Sequence, residues 1–172
     1  MKSKSNVSFV VKIMNCLVAI QNLVVQFLLE GHLRKTKVNS IRLGTDYGGW
    51  WVPIQITEDA ENWQVISCGL GHDISFDREI TSLGIPVLGV EVEDHWIDEI
   101  RNSSDKPPLL HLVQGYVGAG TGELDVSKLL SLVENQFGFG KKKFLKMDIE
   151  GAEISIIEKS QILSSSFNCV AF

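Results

Sequence analysis

Apolar positions along this chain follow two different rhythms. In "VSFVVKIMNCLVAIQNLVVQFLLEG" the polar residues Ser8, Lys12, Asn15, Asn22, Gln26 and Glu30 fall on one stripe at steps of three, four or seven, with Ala19 filling the gap. That is a helical period with a broad apolar face. It predicts an amphipathic helix over about Val7 to Glu30, stopped at Gly31. A spanning helix needs about 20 nearly uninterrupted apolar residues; Lys12, Asn15, Gln21, Asn22 and Gln26 interrupt this one. The stripe argues for a packed or partner-binding helix. A membrane-surface or anchoring helix and a cleaved signal stay open as alternatives. "HLRKTKVNS" then reads as a basic linker, so 1–40 separates from a domain over 41–172.

From Ile41 the rhythm shortens. "IRLGTDYGGWWVPIQI" carries the pair Gly48-Gly49 and reads as a loop or hairpin entering a strand. "WQVISC" is a strand, and Asp73 or Ser75 can cap the helix that follows. A second strand runs Val87 to Val90, ends in Glu91, and is followed by a helix from about Asp94. "LLHLVQGYVG" gives a third strand, and "GELDVSKLLSLVENQF" a helix with Asp125 as its cap. "KKFLKMDI" is a fourth strand, "GAEISIIEKSQIL" a helix, and "FNCVAF" the start of a fifth strand. Strands alternating with helices predict an α/β fold, a Rossmann-like doubly wound and mostly parallel sheet.

Composition narrows the class. An apolar share of 44% is that of a globular protein. A net charge of −5 gives no nucleic-acid-binding surface, so no nucleic-acid partner is expected. The one basic cluster, Lys141 to Lys143, reads as a solvated turn before a strand. Cys16, Cys68 and Cys169 are widely spaced, which implies no disulfide framework and a reducing compartment. The expected location is cytoplasmic, or membrane-associated if the N-terminal helix lies on a bilayer. That helix is also the candidate homo-oligomer contact. The four histidines show no metal-ligand spacing, and no metal is expected.

In an open parallel sheet, ligands bind beyond the carboxyl ends of the strands. After the first strand comes Gly69-Leu70-Gly71, where glycine permits close approach and helix N–H groups point outward. After the second comes Glu91, twenty residues beyond Gly71, a place where an acid can accept both hydroxyls of a ribose. The pair points to an adenosine-containing cofactor. The dinucleotide pattern G-x-G-x-x-G fails, because Ile74 holds the third glycine's place, and this disfavours an NAD(P)-dependent oxidoreductase. "GYVGAGTGE" lacks the Lys-Ser or Lys-Thr of a phosphate loop. Asp73 would repel a pyrophosphate. Acids suit a cofactor with a cationic centre and a free amine, and S-adenosylmethionine has both. Tyr47, Trp50 and Trp51 form either an aromatic wall or plain core.

The block "KMDIEGAE" resembles the signature of the FkbM-like methyltransferases, among the class I S-adenosylmethionine-dependent enzymes. "RLGTDYGGWWVP", "VISCGLGHDISFDREI" and "QGYVG" resemble further blocks of that group, in the same order, so the likeness covers about Ile41 to Phe172. It implies S-adenosylmethionine over Gly69 and Gly71, its ribose on Glu91, and Asp148 and Glu150 beside the reactive centre. The group mostly methylates hydroxyls, which implies a small-molecule or glycan acceptor. Three departures stand out. Ser67 occupies the place where many relatives carry an acid, with Asp73 as its substitute; Ser67, Asp73 and Ser75 are all counted among the expected cofactor-binding residues. The second strand ends Glu91-Val92-Glu93 rather than Asp-Pro-Thr. About five of the fold's seven strands are encoded, so the domain is expected to be C-terminally incomplete. The alternative function is then a non-catalytic S-adenosylmethionine- or partner-binding module. Side-chain alternation would turn Asp148 and Glu150 to the cleft and Ile149 to the core. Glu153, in the first helical turn, would be structural. Asp148 has a competing role as the cap of that helix through the Gly151 N–H.

Overall fold

The computed structural model describes residues 39–118, 120, 123–149, 151–159 and 163–172. The predicted N-terminal helix and Glu150 lie outside the described residues. The chain enters through an antiparallel hairpin, β1 (Ser40–Leu43) and β2 (Trp50–Pro53), in which Leu43 faces Trp50 and Ser40 faces Pro53. The turn is tied by Arg42, whose guanidinium donates to the carbonyls of Asp46 and Gly49 at 2.8 and 3.2 Å. The strand signal in "WVPIQI" stops at Pro53, which cannot donate to a ladder. A short helix α1 (Gln55–Glu58) and a 3-10 turn (Ala60–Asn62) follow instead.

The main sheet has five parallel strands: β3 (Trp63–Cys68), β4 (Val87–Glu91), β5 (Leu110–Gln114), β6 (Lys142–Met147) and β7 (Cys169–Ala171). Their spatial order is β5-β4-β3-β6-β7, so strand order reverses between β3 and β6. The connecting helices are α2 (Ser75–Ser82), α3 (Asp94–Asn102), α4 (Val126–Phe137), α5 (Glu153–Lys159) and α6 (Leu163–Ser166). This is the Rossmann-like arrangement expected from the alternating pattern. Asp125 caps α4 as expected, accepting from the Lys128 N–H at 2.9 Å.

Every residue of β3 and β4 is buried, as in a sheet covered on both faces. One core gathers Val65, Phe76, Ile80, Val87 and Phe144, and the other Ile66, Leu88, Leu129, Leu145 and Met147. The alternation along β3 and β6 explains the split: neighbours in sequence point to opposite faces. Phe76 of α2 meets Phe144 of β6 with ring centroids 6.2 Å apart.

The lysine cluster does not form a solvated turn. Lys142 and Lys143 are strand residues, paired in register with Trp63 and Gln64. Lys143 is buried and its ammonium sits 2.9 Å from Glu134, while Lys142 meets Asp59 at 2.8 Å. The partners stand on distant segments, so local charge density misdescribed the site. Among the described residues, no helix is long and apolar enough to cross a membrane.

Candidate active site

A cleft of about 660 Å³ opens at the carboxyl ends of β3, β4, β5 and β6, beside the strand-order reversal. Gly69, Gly71, Asp73, Glu91 and Asp148 all line it, as do Tyr47 and Trp50 of the hairpin. The volume is that of a pocket for a small-molecule ligand.

Gly69 fixes how closely two strand ends approach. Its N–H donates to the Val90 carbonyl at 2.9 Å, and the Asp148 N–H donates to the Cys68 carbonyl at 3.0 Å. A Cβ on Gly69 would lie 1.8 Å from the Asp148 carbonyl oxygen, and its φ of +76° suits glycine. The close approach is therefore to the β6 terminus. Gly71 has open space where a Cβ would stand.

Glu91 clamps both loops. Its Oε2 accepts from the N–H groups of Leu70 and Gly71, each at 2.9 Å. Its Oε1 accepts from those of Val92 and Glu93, at 2.7 and 3.0 Å. Burial alone would raise this carboxyl, but the four backbone donors outweigh it and hold it below its ordinary value. The acid at the end of β4 thus shapes the glycine loop from behind while facing the cleft.

Asp73 performs a parallel task for the hairpin. Thr45 donates to Oδ2 at 2.6 Å and the Ser75 N–H to Oδ1 at 2.9 Å. Hydrogen bonds from Thr45 and Ser75 depress the carboxyl to about 2. Gly48 packs against this carboxylate so tightly that a Cβ would sit 2.5 Å from Asp73 Cγ. Ser75 Oγ accepts from the Thr45 N–H at 2.9 Å. Ile74 holds the N-cap position of α2 without a side-chain bond, so Asp73, one residue earlier, satisfies the helix end.

At the end of β6, Asp148 is exposed to the cleft, and its carboxylate makes no hydrogen bond to another described residue. The Gly151 N–H goes instead to Glu153 Oε2 at 2.7 Å, and the Ile149 N–H to Glu153 Oε1 at 3.0 Å. Glu153 therefore clamps the turn, and Asp148 is not the cap. Burial opposes ionisation of Glu153, but the backbone N–H groups prevail and hold its carboxyl below the ordinary value. Past the end of β6 at Met147 alternation holds in part: Asp148 faces the cleft and Ile149 packs against the second core, though Ile149 also lines the cleft.

The methyltransferase FkbM domain model matches residues 48–170. The chain belongs to this family. No curated protein and no solved structure gives a significant match.

Within this methyltransferase domain the residues singled out in the sequence divide. Gly69, Gly71, Asp73, Glu91 and Asp148 come together around the cleft. Ser67 is buried within β3 beneath it, and Ser75 is held by Thr45 behind Asp73. Of the aromatic trio, Trp51 is 63% exposed and turned away from the cleft, because successive residues of β2 face opposite sides. Other rings take its place. His72 lies 5.2 Å from Tyr47 and 5.7 Å from Trp96, and Tyr116 enters from the loop after β5. These positions were findable, since each follows a strand end by only a few residues. Lys146 was overlooked altogether. It stands within β6, two residues before Asp148 and in register with Ser67. Among the described residues, no His, Cys, Asp or Glu cluster is arranged for a metal ion. Burial raises the Cys68 thiol to about 12, which leaves it unreactive.

Proposed function

We propose that this domain is an S-adenosylmethionine-dependent O-methyltransferase acting on a hydroxyl of a small molecule or glycan. The observation that carries the reading is the Asp148 carboxylate at the cleft, one residue beyond β6 and with no hydrogen bond to another described residue. Beside it, the loop 69–71 is held rigid by Glu91. The residues suit such a donor. Asp73, Glu91, Glu93 and Asp148 give the cleft an acidic lining that favours a cationic ligand, and the rings of Tyr47, Trp96 and Tyr116 offer faces for a planar base.

When bound, S-adenosylmethionine supplies an electrophilic methyl carbon with a neutral thioether as leaving group. Asp148 would act as the base that takes the proton of the acceptor hydroxyl. Gly69, Gly71 and Glu91 would hold the donor, and such positioning would supply much of the acceleration. Glu91 would take the ribose while keeping its four backbone partners. Ser67 and Ser75 would support the donor site from beneath and behind; Glu150, the second acid assigned to the acceptor by the resemblance, lies outside the described residues.

Calorimetric titration tests the donor: S-adenosylmethionine should bind and NADH should not. Turnover on a panel of hydroxylated acceptors tests the reaction. Asp148→Asn should lower it by about 10²–10⁴-fold while the fold is retained. Preference for NADH, or full activity in Asp148→Asn, overturns the reading.

A further inference from the structure

Lys146 is 4% exposed, yet it lines the cleft. It leaves β6 on the same side as Ser67, its register partner on β3, and rises toward the hairpin. Its ammonium donates to the Gly69 carbonyl at 2.7 Å and sits 5.2 Å from the centroid of the Trp50 ring. Among the described residues the Gly69 carbonyl is its one hydrogen-bond partner and no carboxylate lies within ion-pair distance, so two of its three N–H donors are unspent. A buried cation held by one neutral carbonyl and a ring face is costly unless an anion completes its shell.

The buried acid that feels its charge does not complete it. Asp77 of α2 acts on Lys146 electrostatically but forms no ion pair with it, and one of its oxygens has no partner. The acids that share the cleft are otherwise committed or distant in role: Asp73 and Glu91 spend their oxygens on Thr45, Ser75 and backbone N–H groups. Lys146 is the one lysine or arginine among the described lining residues.

We propose that Lys146 binds the carboxylate of the methyl donor's amino-acid end, fixing that tail against Gly69 and Trp50. The inference rests on the donor assignment above and specifies which end of the donor lies under the hairpin. An acidic cleft has a use for such a residue. A zwitterionic tail carries one anionic group into a site of four carboxylates, and a single buried cation both neutralises it and sets its direction.

The test compares S-adenosylmethionine with its decarboxylated form, on wild type, Lys146→Met and Lys146→Arg, by calorimetry. The surrounding acids alone would favour the more cationic decarboxylated form. Wild type should instead prefer the carboxylate by roughly ten- to hundredfold, the worth of a charged hydrogen-bonding partner. Lys146→Met should lose that preference while holding the decarboxylated form as before, and Lys146→Arg should keep most of it. Equal affinities in wild type overturn the proposal, as does a preference that survives in Lys146→Met. Should Lys146→Met fail to fold, the wild-type comparison and Lys146→Arg decide. Binding of neither form to wild type overturns the donor assignment itself, and this proposal with it.

Discussion

At the scale of single residues, three carboxylates of the site do their work through backbone N–H groups or a neighbouring hydroxyl. Glu91, Asp73 and Glu153 each join segments that the helix and strand ladders leave unconnected. Their charges carry consequences that can be measured. The Asp73 carboxyl is depressed to about 2 from an ordinary 3.8. A lowered folded-state value means that its contribution is present above about pH 4 and is lost as pH falls through about 2. Asp73→Asn should destabilise by about 1 kcal/mol at pH 7, a small figure because the group is largely solvated. The gap between wild type and variant in urea denaturation should close as pH drops from 4 toward 2. A gap that stays constant would mean that the hairpin does not hang on this charge. Glu153→Gln puts an amide donor where Ile149 or Gly151 N–H needs an acceptor. It should cost about 1–3 kcal/mol. It should also lower turnover, because Asp148 immediately precedes the loosened turn. The sequence marked Glu153 as structural by its place in a first helical turn. Its grip on the loop backbone, four and two residues away, was not visible there.

At the scale of elements, the strand ends meet through backbone rather than through side chains. Gly69 is the junction: its missing side chain is what lets β3 and β6 finish in contact. Gly69→Ala should therefore cost about 3 kcal/mol or more, combining a clash with an unfavourable φ. Gly71→Ala, strained in φ but open in space, should cost about 1 kcal/mol. Chemical denaturation of both variants gives the ratio; equal costs would show that the loop, and not the junction, sets the requirement. Periodicity made the alternation of strands and helices legible, together with the strand-end positions of Gly69, Glu91 and Asp148. What it left hidden depends on distant partners. Lys143 lies buried because Glu134 reaches it from α4, and Lys146 turns upward to a carbonyl 77 residues away in sequence. Neither contact follows from periodicity: the first joins a helix to the next strand, and the second crosses the sheet. Trp50 and Trp51 looked equivalent until pairing with β1 decided which face met the cleft.

At the scale of the whole molecule, the sheet separates what holds the domain together from what the domain does. Two apolar layers flank β3, β4 and β6, and the cleft lies beyond the strands' carboxyl ends, outside both layers. Phe144→Ala, in the middle of one layer, should cost about 3–5 kcal/mol and leave little of a typical domain's stability. Changes at the strand ends should instead alter ligand linkage. A donor that binds only the folded chain stabilises it by about 2.7 kcal/mol at one hundred times its dissociation constant. Wild type should show that gain as a raised melting temperature with S-adenosylmethionine. Asp148→Asn should keep most of the gain while losing turnover, because its carboxylate serves the acceptor side. Glu91→Gln should lose much of it, since an amide cannot accept from all four backbone N–H groups that shape the donor loop. The two variants thus separate chemistry from binding at the ends of β6 and β4, on either side of β3. If Asp148→Asn abolishes the ligand-induced shift and Glu91→Gln leaves it intact, donor and acceptor sides have been assigned the wrong way round.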